Sequence, residues 1–387
     1  MLTEFVDEMV EDWRPEEYYE KVFYNLYKDR IKAVLNEKKP VPYEIEIQPC
    51  SKCNAFCNYC WGGSSFETYD KTRKLEDSLG KKENMDKVVD EVLGFERDGF
   101  KIEVIKFCGA TGEPLMNPLT LYAINRLYGK KKLRLFSNGL LFGLNKDNDD
   151  YLSVLAKVGR INLSLDAGRT ETLHEIKKGA LKLGVRLEDI LGCIKKLKKF
   201  SDGKTDVDVS YVICRDNFSE IEEAADKFYN SGANAMRLRV NFNDEDLPKI
   251  YGGEIADATD RMIERYNGTN FKICPAYSSE ELRDRKMMEF SSKDSGFSCS
   301  ITRFWASIGP DGKIYPCGHI TLDGCESYGD LLKQSFSEIW DGGRREEVIK
   351  GLPEKKCDNC SPFSYCTNKT MTGFNNKKLY FIEAIYS

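Results

Sequence analysis

Histidine is nearly missing from this chain. Two occur in 387 residues, His174 and His319, which excludes a His-rich metal site. Charge of either sign is also lacking as a net feature: 58 basic against 63 acidic residues leave −5. That balance provides no basic footprint for nucleic acid. The lysines of "CIKKLKKF" do cluster, but Ile190, Leu191, Ile194 and Leu197 recur at helical spacing, so the lysines form the solvated opposite face. No apolar run is long enough to cross a membrane. The opening "MLTEFVDEMVEDWRPEEYYE" lacks the basic and apolar regions of a signal peptide. A cytoplasmic protein with no membrane and no nucleic-acid partner is expected. With 41% hydrophobic and 31% charged residues, the composition is that of a globular protein.

What is present is cysteine. Fourteen occur, and without an export signal they are not read as disulfides, because the cytosol keeps thiols reduced. Thiolates in clusters, with little imidazole, point to iron–sulfur clusters or structural zinc. The densest group is "QPCSKCNAFCNYCW", in which Cys53, Cys57 and Cys60 have the spacing C-x3-C-x2-C behind Cys50. Three thiolates from one loop hold three irons of a [4Fe–4S] cube and leave the fourth open. Zinc bound by Cys50, Cys53, Cys57 and Cys60 is the alternative, although structural zinc usually draws paired ligands from separate segments. Cys50 is then a bystander, and Cys108, Cys193 and Cys214 read as small core residues.

Periodicity gives the frame. Residues 1–40 read as helix packed on the flank of the main domain. From Tyr43 onward, the strand-like runs "YEIEI", "KIEVIKFC", "KLRLFSNG", "RINLSLDA", "DVDVSYVI" and "AMRLRVNF" alternate with five helical stretches, several ending in glycine. Such alternation predicts a parallel sheet with its ligands at the C-terminal ends of the strands. The cysteine loop follows the first strand and so falls on that rim. The expected division is a helical extension (1–40), an α/β core (41–245), a helical linker (246–290) and a cysteine-bearing tail (291–387).

On these residues the chain resembles the radical S-adenosylmethionine (radical SAM) superfamily. Tyr59 supplies the aromatic residue before the third cysteine. "TGEP" carries Gly112, Glu113 and Pro114, "SNG" carries Ser137, Asn138 and Gly139, and "LSLDA" carries Ser164 and Asp166. These motifs follow one another at successive strand ends. The resemblance implies an α/β fold, a partial (β/α)6 TIM-like barrel. It makes Cys53, Cys57 and Cys60 ligands of a [4Fe–4S] cluster whose open iron binds SAM. Reduction of SAM by that cluster yields a 5′-deoxyadenosyl radical that takes a substrate hydrogen. Tyr59 is expected near the adenine, Gly112 and Glu113 at the methionyl ammonium, Ser137 and Asn138 at the polar strand end, and Ser164 and Asp166 near ribose and carboxylate. Arg237 or Arg239 would pair with a carboxylate of SAM or substrate.

The tail has a second set. "GPDG" is a turn and "KIYPC" a returning hairpin strand. Gly312 and Cys317 stand in G-x4-C spacing, and Cys357, Cys360 and Cys366 in C-x2-C-x5-C. This resembles the SPASM and twitch extensions of radical SAM enzymes, which hold auxiliary [4Fe–4S] clusters. It departs from the full SPASM pattern, since Thr370 stands where a further cysteine is expected. One cluster from Cys299, Cys317 and two of Cys357, Cys360 and Cys366 is the simpler reading. Cys274 and Cys325 remain candidates for a second cluster, and a zinc ribbon from Cys299, Cys317, Cys357 and Cys360 is the other reading.

Relatives with such tails either oxidise small molecules or protein side chains, or modify ribosomally made peptides. Helices at the N-terminus and a reduced tail favour a dehydrogenase of a polyol or aminocyclitol-type molecule. His319, near Cys317, is the candidate proton acceptor, and His174 is read as a surface or loop residue. A ribosomal-peptide maturase is the alternative. An iron–sulfur electron carrier without SAM chemistry is the alternative from another class. A reductant such as flavodoxin or ferredoxin is the expected protein partner, beside a small-molecule or peptide substrate.

Overall fold

The computed structural model describes residues 27–60, 75–109, 112–241, 244–284, 296–321, 325–354, 357, 360 and 362–375. Ten strands form one sheet. They are β1 (Glu44–Ile47), β2 (Val104–Phe107), β3 (Lys132–Ser137), β4 (Arg160–Ser164), β5 (Asp206–Ile213), β6 (Ala235–Val240), β7 (Lys272–Pro275), β8 (Trp305–Ile308), β9 (Lys313–Tyr315) and β10 (Gly329–Asp330). Their order is β10-β9-β8-β1-β2-β3-β4-β5-β6-β7. From β8 to β7 every pairing is parallel, and β9 and β10 are antiparallel additions.

The six expected strands are all present as β1–β6. Two features were not foreseen. Inside the stretch read as helical linker, the helix Leu247–Tyr266 is followed by β7, which extends the sheet beyond β6. At the other edge the tail contributes β8, which pairs with β1 from Glu44↔Trp305 to Ile47↔Ile308. Without it β1 would present a row of unpaired backbone groups.

Alternation along the strands gives the sheet two unlike faces. Ile45, Ile47, Ile105, Phe107, Leu135 and Leu163 are buried in the main core under the helices. Helix Leu187–Phe200 covers this side with Leu187, Ile190, Cys193, Ile194 and Leu197, so its lysines do face solvent. Each such side chain contributes roughly 1.5–3 kcal/mol by leaving water. The opposite face carries Glu44, Glu46, Lys106, Arg134, Asn162 and Asp208. Its charges pair across strands, with Lys106 Nζ 2.5 Å from Glu46 and Arg134 2.9 Å from Glu44. A sheet apolar outside and charged inside is a partial barrel with a polar lumen.

Of the N-terminal helical expectation, residues 1–26 lie outside the described residues, and 27–35 are helical. Tyr27 and Ile31 pack with Tyr43, Val104, Phe304 and Met371 at the N-terminal end of β1, β2 and β8. Arg30 fastens this helix by donating to Val41 O at 2.8 Å and Lys101 O at 2.7 Å. Phe304 links this cluster to the tail, so Phe304→Ala is expected to cost about 3–4 kcal/mol in urea unfolding.

Candidate functional site

The loop after β1 is clamped by close backbone approaches. A Cβ on Gly112 would sit 1.9 Å from Cys50 O, and one on Gly179 would sit 1.7 Å from Asn54 O. Only glycine fits either place. Glu113 N–H donates to Lys52 O at 2.8 Å, Gly179 N–H to Ala55 O at 2.8 Å and Asn58 N–H to Ile176 O at 3.0 Å. Asn138 Nδ2 donates to Asn54 Oδ1 at 2.7 Å and reaches Cys53 Sγ at 3.5 Å. The three thiols Cys53, Cys57 and Cys60 are thus held on one anchored loop, half-buried. Cys57 packs against the core and bridges to Lys177. Burial pushes its pKa up to about 12. Alone such a thiol stays protonated; a coordinated metal deprotonates it.

Glu113 is 2% exposed. Its carboxylate accepts from Ser137 Oγ at 2.9 Å, Asn138 N–H at 2.7 Å and Leu115 N–H at 3.2 Å. The structure therefore joins "TGEP" and "SNG" into one network, with Ser137 and Asn138 orienting Glu113. Burial nonetheless raises the carboxyl to about 7. Asp166 is equally enclosed, at 2% exposure, with a left-handed φ of 61°. Its carboxylate takes Lys177 Nζ at 3.1 Å and Val212 N–H at 2.8 Å. Fully buried Lys177 also donates to Ser164 O. Beside them the Tyr59 hydroxyl is buried, with the Asp166 carboxylate as its polar neighbour. Burial first, then the Asp166 charge, raises its pKa.

By register Ser164, Ser210, Arg237 and Cys274 lie in one row across the polar face. Among the described residues Arg237 has no ion-pair partner, and the neighbouring carboxylate is Asp208. Cys274 thus belongs to the sheet and not to the tail. Cys108 is a second departure, since it stands beside Glu46 and Lys106 at the polar end of β2 and not in the apolar core. Cys193 and Cys214 are buried as expected, and Cys50 is buried as well. His174 is partly buried and bonded to Val185 O at 2.8 Å.

In the tail, Cys299, Cys317, Cys357 and Cys360 line one cavity with Ile301, Pro316, His319, Ile320, Leu352, Pro353, Ser364 and Asn368. Cys366 is buried on the helix Pro362–Asn375 and is not in that lining. Neither Cys274 nor Cys325 lines it. Burial raises the pKa of Cys299, and that of Cys317 to about 12. Four thiols around one cavity are the donor set of a cysteine-ligated metal group.

His319 follows Cys317 on the exposed rim, with Glu46, Lys106 and Arg239 as charged neighbours. It sits there because Gln48 Nε2 donates to Gly318 O at 3.2 Å and to Glu46 Oε1 at 2.8 Å. A Cβ on Gly318 would meet Glu46 Oε1 at 2.2 Å. Gln48, Asn54, Lys177 and Gly179 escaped the sequence reading. The glycine of "IKKGA" was the available signal, because a glycine inside a helical run marks a close approach. Nothing distinguishes one buried lysine among so many.

A parallel sheet with a three-thiol loop at its rim and a four-thiol cavity in an appended strand pair defines an iron–sulfur barrel protein. The model of the radical SAM superfamily matches residues 47–272, and that of the SPASM iron–sulfur cluster-binding domain matches residues 299–361. The chain belongs to the radical SAM superfamily. With membership come its cofactors, a SAM-binding [4Fe–4S] cluster and an auxiliary cluster in the tail. A curated relative, the tungsten-containing aldehyde ferredoxin oxidoreductase cofactor-modifying protein of Pyrococcus furiosus, is 24% identical over 354 residues, covering 83% of this chain and 88% of its own. Among solved structures, anSMEcpe with bound AdoMet has a TM-score of 0.57 at 19% identity, covering 84% of this chain and 88% of its own. SuiB of Streptococcus suis bound to S-adenosylmethionine has a TM-score of 0.58 at 14% identity, covering 89% and 76%. No described helix is long and apolar enough to cross a membrane.

Two outcomes follow from this geometry. Gly179→Ala forces the loop at Asn54 to move, so the reconstituted variant is expected to lose one cluster's iron while far-UV circular dichroism is unchanged. The raised pKa of Glu113 means the native state holds its proton between the ordinary 4.5 and about 7. Its stabilising effect is complete below that window and is lost as the pH rises through about 7. In SAM-free protein, wild type is expected to lose up to about 3 kcal/mol relative to Glu113→Gln across that range, read from denaturation midpoints.

Proposed function

We propose that this chain is a radical SAM oxidoreductase that dehydrogenates a small polar molecule, of polyol or aminocyclitol type, held against the charged concave face. One observation carries the reading. The three-thiol loop leaves β1, the four-thiol cavity closes around the β9 end, and β1 and β8 are neighbours in one continuous sheet. Four thiolates leave a cluster no open iron, so that site exchanges electrons and does not bind substrate.

Cys53, Cys57 and Cys60 would hold the SAM-binding cluster, and Cys299, Cys317, Cys357 and Cys360 the auxiliary one. When bound, these groups supply hydrogen-atom abstraction at the first site and acceptance of one electron at the second. The residues do the rest. Glu113, fixed by Ser137 and Asn138, accepts from an ammonium with Gly112 beside it. Tyr59 offers its buried hydroxyl, and Ser164 lines the same end. Asp166 acts behind the site, holding Lys177 against the loop. Arg237 binds a carboxylate or hydroxyl of the ligand. His319 takes the proton released when a carbinol carbon becomes a carbonyl. A small acidic electron donor of flavodoxin or ferredoxin type supplies the reducing electron.

A peptide substrate is the second reading, favoured by the SuiB structure bound to precursor peptide SuiA, with a TM-score of 0.56. Action on a small molecule is favoured by the name of the curated relative, a cofactor-modifying protein. With anaerobic, reconstituted protein, SAM and dithionite, 5′-deoxyadenosine is the expected product. Cys57→Ala is expected to abolish it and remove one cluster's iron. Cys317→Ala is expected to keep SAM cleavage while substrate oxidation falls at least a hundredfold, and full turnover by that variant would remove the electron-acceptor role. In deuterated buffer, an unchanged substrate that has gained one deuterium would contradict oxidation.

A further inference from the structure

A buried cation stands behind the auxiliary cavity. Arg345, on helix Gly343–Lys350, is 1% exposed. Its guanidinium lies 3.8 Å from the Trp340 ring centroid and 5.6 Å from that of Tyr328. One terminal nitrogen donates to Thr302 O at 2.9 Å; the other reaches Trp340 O and Glu346 Oε1, both at 3.5 Å. Its Nε is buried without a hydrogen-bond partner, and the buried Tyr328 hydroxyl lies beside Thr302.

The Tyr328 ring lies against this cation, and the Cys299 and Cys317 thiols are near enough to act on its hydroxyl. Burial raises its pKa, Arg345 lowers it, and Cys299 and Cys317 raise it again. Thr302 ties the same parts together, because its carbonyl accepts from Arg345 while its Oγ1 donates to Cys299 O at 2.6 Å.

As a structural staple this arrangement is costly. A buried guanidinium nitrogen without an acceptor costs about 1–3 kcal/mol, and an apolar side chain of similar volume often stabilises as well as a buried ion does. The charge is only partly offset. Glu346 is partly exposed and shared with Lys39 at 3.1 Å, and Asp341 is taken by Arg97 at 2.6 Å. Arg303, the remaining charged neighbour, adds a further positive charge.

We propose that Tyr328 and Arg345 raise the reduction potential of the auxiliary cluster, making it the better electron acceptor of the two clusters. Reduction adds a negative charge to the cluster. A desolvated cation and a hydroxyl dipole behind its cavity stabilise that charge, because local charge and dipoles set such potentials. The inference rests on the reading that Cys299, Cys317, Cys357 and Cys360 hold this cluster.

The test is an anaerobic redox titration followed by electron paramagnetic resonance. It uses the full chain carrying Cys57→Ala, so that the auxiliary cluster alone is read. Arg345→Met is expected to lower the midpoint by at least a tenfold change in the reduction equilibrium, 59 mV for one electron. Arg345→Lys keeps the charge and is expected to lower it less. Tyr328→Phe removes one hydroxyl and keeps the ring, and is expected to lower the midpoint with iron content unchanged. Should Arg345→Met fail to fold, Tyr328→Phe decides the matter. Variants with full iron and the parent's midpoint would overturn the inference while leaving the cluster assignment standing. A parent protein with no cluster in the tail would overturn the assignment and the inference together.

Discussion

Three thiols can hold an iron–sulfur cube with one open corner only if their loop cannot collapse onto the vacancy. Here that constraint is met by backbone. Gly112 is pressed against Cys50 O and Gly179 against Asn54 O, so the loop is gripped from both sides where no side chain fits. Asn138 and the Asp166–Lys177 pair brace it from beneath. Glu113 is part of the same bracing: three internal donors keep its carboxylate oriented, at the cost of burying it. Bracing by backbone and buried partners is how a site avoids ordering itself at the moment of binding.

The second constraint is the two-faced sheet. Because the outer face is apolar and wrapped by helices, the charged residues converge on the lumen and neutralise one another in pairs. The tail then docks on the free edge of β1 and on the helix Lys82–Gly94, where Glu91 accepts from Phe336 N–H at 2.7 Å, bringing its thiol cavity to a neighbouring strand of the same sheet. Trp340 fixes this docking by donating to Pro40 O at 3.0 Å, and Phe95 stacks on Phe336 at 4.7 Å. The two thiol sites are thereby set on one continuous sheet.

Much of this was legible in the sequence, and for identifiable reasons. Strands β1–β6 alternate polar and apolar residues with period two, and glycines punctuate the helices, so order and direction could be drawn. The thiol loop and Glu113 stood in motifs whose spacing carries chemistry. What escaped was set by tertiary contact. β7 is a four-residue strand of "KICP" whose pattern is too short to declare itself. β8 was invisible as a partner of β1 because parallel pairing between residues about 260 positions apart leaves no local trace. The choice of Cys360 over Cys366 depends on where the helix Pro362–Asn375 begins, since that helix carries Cys366 away from the cavity lining. The burial of Arg345 and Lys177 could not be read, because charged residues are ordinarily on the surface.

The claim under all of this is an open iron at the rim of β1. It is tested most directly by the electron paramagnetic resonance spectrum of the reduced protein carrying Cys317→Ala, with and without SAM. The account predicts that SAM changes the g-values of the remaining cluster, as a ligand entering the iron's coordination sphere must. An identical spectrum at full iron content and saturating SAM would contradict it.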